Sequence, residues 1–115
     1  MTLFRLFLGG CLLVITGYTA MTIGNHGADL MPVFFGDMAA MAWPGQFNLD
    51  FFTFLLLSGL WVAWRHRFSA AGLGLAVLAT LGGMMFLSAY LLVISFRTGG
   101  DMRAILLGAE RARQG

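Results

Sequence analysis

An almost uninterrupted apolar segment that ends in a basic triplet constrains the fold of this chain more than any other feature. Residues 49–64 run nearly without polarity, and the triplet 65–67 contains two arginines and a histidine. Trp43 and Trp64 bracket the segment, as tryptophans do at the two rims of a membrane. Asn48 is a suitable N-cap for a helix that starts at this point. The pattern predicts one membrane crossing with both ends marked.

The composition extends this interpretation to the whole chain. Hydrophobic residues make up 59% of the 115 residues and charged residues 10%, whereas soluble domains carry roughly 25% charged residues. A soluble domain of this size could not bury so much apolar surface, because small domains keep a large surface-to-volume ratio. We predict a single all-α membrane domain with three transmembrane helices, at residues 3–23, 49–64 and 70–96.

The third apolar run is longer than one crossing needs. Residues 70–96 would extend roughly 40 Å as a helix, against a hydrocarbon core of roughly 30 Å. The helix must therefore tilt, kink or project beyond the core. Gly82 and Gly83 form the flexible point that the sequence offers.

The connection at residues 25–47 predicts a helix that lies in the interface. Its apolar centre, residues 30–43, is too short to cross a bilayer. Asp37 in the middle would cost about 2.5–3.5 kcal/mol at the bilayer centre. The apolar face at helical spacing consists of Met31, Phe34, Phe35, Met38, Met41 and Ala42. Asp37 lies off this face, so we expect its carboxylate to be solvated.

The tail, residues 101–113, is predicted to form an amphipathic helix on the membrane surface. Its apolar face is formed by Met102, Ile105, Leu106 and Ala109. The polar side carries several arginines, which favour anionic lipids.

The distribution of arginine favours one orientation in the membrane over the other by a small margin. If residues 3–23 and 70–96 both cross the membrane, the N-terminus and the tail lie on opposite faces, and the arginines divide almost evenly between them. The C-terminal flank of the first span has no arginine, and the first span usually sets the orientation. We predict a cytoplasmic N-terminus and an external loop at 25–47, in the inner membrane if the protein is bacterial.

Small residues recur at helical spacing in all three apolar runs, which is the pattern that lets transmembrane helices pack closely. The first run has Thr16, Ala20 and Gly24, with Gly17 beside them. The candidate packing positions in the other two runs are Gly59, Ala63, Gly72, Ala76, Thr80 and Gly83. We expect these stripes to pack on each other or on a second protein.

Four chemically active residues converge on the predicted external face: His26, Asp29, Asp37 and Asp50. Imidazole and carboxylates at one membrane rim could bind a divalent metal or pass protons. The alternative is a polar loop in which Asn48 and Asp50 begin a helix, Asp50 complementing the helix dipole. Among the four, we single out Asp50, because it is expected to lie nearest to hydrocarbon and is followed by Phe51 and Phe52.

The methionines and histidines raise two further hypotheses, a copper site and a haem site. Met31, Met38 and Met41 lie near His26, and thioethers with imidazole suit copper(I); at helical spacing, however, methionine is more often a packing residue. His26 and His66 lie on opposite predicted faces, which disfavours a bis-histidine haem.

Two hypotheses for function remain open. The first is a small accessory, assembly or structural subunit that packs against itself, as a homo-oligomer, or against a larger membrane protein complex. The alternative is a small carrier or membrane enzyme that handles metal or protons with the His/Asp cluster. The chain has no phosphate-binding glycine loop and no nucleic-acid-binding pattern. We therefore expect the lipid bilayer as a partner, no nucleic acid and no cofactor apart from such a metal.

Overall fold

The computed structural model describes residues 1–114 of the chain. The structure is 86% helical, and no β-strand lies within the described residues. The helices are α1 (Thr2–His26), α2 (Met31–Ala40), α3 (Trp43–Arg65), α4 (Ala70–Arg97), α5 (Met102–Leu107) and α6 (Ala109–Gln114). Three of them, α1, α3 and α4, are long and apolar enough to cross a membrane, so the predicted all-α membrane architecture is confirmed at that level.

The start of α3 differs from the prediction. The helix begins at Trp43, six residues before the expected start, and its N-cap is Ala42. Pro44 lies in the first turn, where its missing N–H removes no helical hydrogen bond. The prediction that Asn48 caps this helix is therefore wrong, and Asp50 lies beyond the first turn.

Helix α4 reverses its direction at Gly83. This residue has φ 57° and ψ −142°, which interrupts the helix and divides it into limbs at residues 70–82 and 84–97. His66 closely approaches Gly72 in the first limb, and its Nε2 lies 2.5 Å from the hydroxyl of Tyr90 in the second limb. A straight helix would separate positions 72 and 90 by roughly 27 Å, so the second limb must return toward the start of the first.

The two limbs pack on different neighbours. The first limb runs antiparallel to α3, so that Gly59 faces Thr80 and Gly72 faces His66. The second limb runs antiparallel to α1, and Ser95 near its end binds Arg5 near the start of α1. Both limbs contribute to one small core, which consists of Val62, Ala79, Tyr90, Ile94 and Ile105.

The reversal brings the start of the chain and the tail to the same end of the molecule. Gly100 lies against the side chain of Met1. The expectation that the N-terminus and the tail lie on opposite faces is therefore not met, because it assumed a straight α4. All seven arginines now gather at this end, which we call the basic end: Arg5, Arg65, Arg67, Arg97, Arg103, Arg111 and Arg113. The opposite end holds the α1–α2 connection, α2 and the start of α3.

The tail contains two short helices where one was predicted. Gly108, with φ 87°, separates α5 from α6. Ala104 and Ile105 of α5 are buried against the bundle, and Met102 and Leu106 stay largely exposed. The short predicted helix in the first loop is present as α2, which packs on α3 through Phe34.

Candidate functional site

The four predicted site residues do not form one compact group. His26 is the exposed last residue of α1, and Asp29 is exposed in the following connection. Asp50 is exposed on α3, where its backbone carbonyl accepts a hydrogen bond of 2.6 Å from the Thr53 hydroxyl. Within residues 1–114, no three His, Cys, Asp or Glu side chains are placed to hold a metal ion together. Metal or proton handling at this end stays a prediction.

Asp37 and Asn48 connect α2 to α3. The Asn48 side-chain amide donates to the Phe34 carbonyl at 3.1 Å and approaches the Asp37 carboxylate at 3.5 Å. Asp37 is consequently half-buried, which corrects the expectation of a fully solvated carboxylate. The backbone contact is close as well, since a Cβ on Gly45 would lie 2.8 Å from the Met38 Cα.

The most developed polar network lies at the basic end, around Arg65. Its side chain is only 9% exposed. The guanidinium donates from Nε to the Ile105 carbonyl at 2.6 Å, from Nη2 to the Ala104 carbonyl at 3.1 Å, and from Nη1 to the Tyr90 hydroxyl at 3.3 Å. The Ala104 carbonyl also accepts a hydrogen bond from the Gly108 backbone N–H, and carbonyls at the C-terminal end of a helix carry partial negative charge that favours a cation. Arg65 therefore holds the tail against α3 and α4.

His66 completes this network. The Tyr90 hydroxyl accepts from Arg65, so its own proton is free to be donated to Nε2 of His66, 2.5 Å away. That arrangement needs an unprotonated Nε2. Burial first, and the nearby Arg65 charge second, lower the pKa of His66 below its ordinary value. The geometry and the pKa both favour the neutral imidazole.

A polar pocket of about 280 Å³ opens beside this network. Arg65, Arg67 and Arg111 line it together with Glu110. Arg67 and Glu110 form an ion pair. Arg111 donates to the Trp64 carbonyl and lies 4.0 Å from the centre of the Trp64 ring. The pocket thus combines three cations with one carboxylate.

An apolar groove of about 680 Å³ lies between α1, α3, the second limb of α4 and α5. Its walls include Phe51 near Gly83 and Trp61 near the basic end. Trp61 also donates from Nε1 to the Leu106 carbonyl at 3.1 Å, which adds a second link between α3 and the tail. The Ser58 hydroxyl lies buried in the wall and has no hydrogen-bond partner within residues 1–114.

Arg5 contributes a third polar link at the basic end. It donates to the Ser95 hydroxyl at 3.1 Å and to the Ser95 carbonyl at 2.9 Å. Its guanidinium also lies 4.0 Å from the centre of the Phe96 ring. The side chain therefore joins α1 to the second limb of α4.

The predicted packing positions lie mostly between α3 and α4. Gly59, Ala63, Gly72 and Gly83 are buried, and Ala76 and Thr80 are half-buried. A Cβ on Gly59 would collide with the Thr80 hydroxyl and lie 3.0 Å from the Ala76 carbonyl oxygen. By contrast, a Cβ on Gly17 or Gly24 in α1 would meet open space.

The cysteine and the methionines near His26 lie on different helical segments. Cys11 is a half-buried free cysteine in α1. Met31 and Met41 are exposed and Met38 is half-buried on α2. Copper binding stays a prediction.

Sequence reasoning missed Tyr90 and the inward direction of Arg65. The sequence did mark both residues: Tyr90 is the one tyrosine in the third apolar run, and Arg65 is the first charged residue after the second apolar run. Their pairing depends on the reversal at Gly83; the sequence indicated a flexible point at this position but not that the helix turns back there. No protein-family model, curated protein or solved structure matches this chain.

Proposed function

We propose that this protein is a small accessory or assembly subunit that packs laterally against a larger membrane protein or further copies of itself. One observation carries the proposal: the second half of α1 extends past the bundle, and no other helix of the described residues covers its exposed side chains. Leu8 is the only buried residue of α1, whereas Tyr18 is 74% exposed and Met21 is 70% exposed. Gly17 and Gly24 leave open space on one side of this helix, which suits close approach of another helix.

The proposed orientation places the basic end in the cytoplasm and the α1–α3 connection outside. The gathering of all seven arginines at one end supports it, because arginine is retained on the cytoplasmic side of membrane proteins. In a bacterium the location would be the inner membrane.

The packing proposal is tested by substitution on the open side of α1. We expect Gly17→Leu and Gly24→Leu to reduce recovery of the partner, or of the oligomer, after mild extraction and chemical cross-linking. Thr22→Leu is the matched control, because Thr22 is exposed on the opposite side of the helix. Recovery of a lone monomer from the unmodified protein, with no cross-linked species, would contradict the proposal.

A further inference from the structure

The pocket at the basic end carries more positive charge than the protein neutralises. Arg67 and Glu110 form the only ion pair within residues 1–114. Within the same residues, Arg65 and Arg111 therefore line the pocket without a carboxylate partner of their own. The Ile105 and Ala104 carbonyls offset part of the desolvation of Arg65, but only an anion neutralises the charge of a cation near a membrane.

The two cations are held in place before any ligand arrives. Arg65 is fixed by three acceptors and is 9% exposed. Arg111 is fixed by the carbonyl and ring of Trp64. Guanidinium groups present several N–H donors in a fixed plane, which matches the oxygens of a phosphate. The pocket volume of about 280 Å³ is large enough for a phosphate group.

The position of the pocket indicates which kind of phosphate-containing molecule is available to it. It lies where the apolar run of α3 ends, beside Trp64, and tryptophan marks the level of the lipid headgroups. At that level the abundant phosphates belong to phospholipids.

The apolar groove begins next to the pocket. Helix α5 forms a wall of both, because Ile105 lines the groove and Leu107 lines the pocket. Trp61, which lines the groove, precedes Arg65 by one helical turn, roughly 6 Å. The groove then continues to Gly83, deep in the bundle. This layout matches an amphiphile with a phosphate at one end and an acyl chain at the other.

We propose that the Arg65–Arg67–Arg111 pocket binds the phosphate of an anionic phospholipid whose acyl chain occupies the adjoining groove. The site is separate from the open side of α1, so it does not depend on the protein partner proposed above. The bound lipid joins α3 to the tail beside Glu110, which is the one carboxylate among the described residues that line the pocket.

Native mass spectrometry of the full chain in detergent tests the site by titration with phosphatidylglycerol. We expect the Arg67→Gln/Arg111→Gln double variant to bind this lipid roughly 25-fold more weakly, about fivefold for each arginine. The matched control, Arg97→Gln/Arg113→Gln, removes the same charge from the basic end but not from the pocket, and should change binding less than about threefold. Arg111→Lys keeps the charge and the fold, and should bind more weakly because the planar fork is lost.

Three results would overturn the proposal. Equal weakening by both double variants would indicate a diffuse basic surface. Equal affinity for phosphatidylcholine would remove the requirement for an anionic lipid. Displacement of the lipid by millimolar inorganic phosphate would indicate a site for a free anion.

The groove is tested separately with phosphatidylglycerol that carries brominated acyl chains. Bromine quenches nearby tryptophan, so Trp61→Phe should lose most of the quenching and Trp43→Phe little of it. The reverse pattern would place the acyl chain outside the groove and overturn that part of the proposal.

Discussion

The hydroxyl of Tyr90 lies 2.5 Å from Nε2 of His66. Tyr90 belongs to the second limb of α4, whereas the first limb is the one that directly follows His66 in the chain. The contact exists because Gly83 turns the second limb back toward the basic end. Arg65 donates to the same hydroxyl, so one phenol joins α3, the α3–α4 connection and α4.

Removal of this hydroxyl should destabilise the protein. Tyr90→Phe leaves Arg65 and His66 without one partner each, and a lost buried hydrogen bond costs about 1–3 kcal/mol. We expect a lower free energy of unfolding in denaturant titration in detergent. Tyr18→Phe is the control, because Tyr18 is 74% exposed. Equal stability of the two variants would mean that the network contributes little.

Stability should decrease as the pH falls below neutrality. The pKa of His66 is lower in the folded protein than in the unfolded chain, so between the two pKa values the unfolded chain binds more protons. The free energy of unfolding is then highest above the ordinary histidine pKa of about 6.5 and falls as the pH decreases through the folded-state pKa. Unfolding measured from pH 8 to pH 5 tests this. His66→Gln should flatten the dependence and His26→Gln should leave it unchanged.

Gly83 should tolerate no side chain. Its φ of 57° disfavours every L residue, and an added Cβ would lie 3.0 Å from Cζ of Phe51. We expect Gly83→Ala to lower the free energy of unfolding by about 1–3 kcal/mol. Gly74→Ala is the matched control, since Gly74 has open space around it and alanine favours a helix by about 1 kcal/mol. A neutral Gly83→Ala would show that α4 does not need this reversal.

The contact between Gly59 and Thr80 should behave as a coupled pair. Gly59→Ala would push a methyl group into the Thr80 hydroxyl and is expected to cost about 1–3 kcal/mol. Thr80→Ala removes that hydroxyl, so the double variant should recover part of the loss. A double-mutant cycle in unfolding free energy measures the coupling, and simple additivity would contradict the packing of α3 on α4.

Reporter fusions test the reversal in a membrane. We expect both an N-terminal and a C-terminal fluorescent-protein fusion to report the cytoplasm, and a tag inserted beside Gly27 to be accessible from outside. The reason is that Met1 and Gly100 lie together at the basic end. A C-terminal reporter on the external side would mean that α4 crosses the membrane as one straight helix.

Helix α2 and the start of α3, at the end opposite the basic end, show how much a local sequence pattern can predict. The helix at 31–40 was predictable from the spacing of Phe34 and Met38; both residues are half-buried, and the Phe34 ring packs on Phe52 of α3. The role of Asn48 was not predictable, because a capping residue and an inter-helix donor look alike in sequence. Its amide reaches Phe34 only once α2 has folded back on α3.

The amino-acid sequence by itself determined the apolar runs and most of the helices of this protein. Long apolar runs are suited to contact with lipid, each run forms a helix in which the backbone groups bond internally, and the arginines fall near helix ends. Only the tertiary structure decided where those ends lie. An apolar side chain packs equally well against lipid and against a neighbouring helix. The sequence of residues 70–97 is therefore compatible both with a straight helix that crosses a membrane and with a helix that turns back on itself. The contacts of Gly83 with Phe51, and of Tyr90 with His66, distinguish the two, and they join residues that are far apart in the chain.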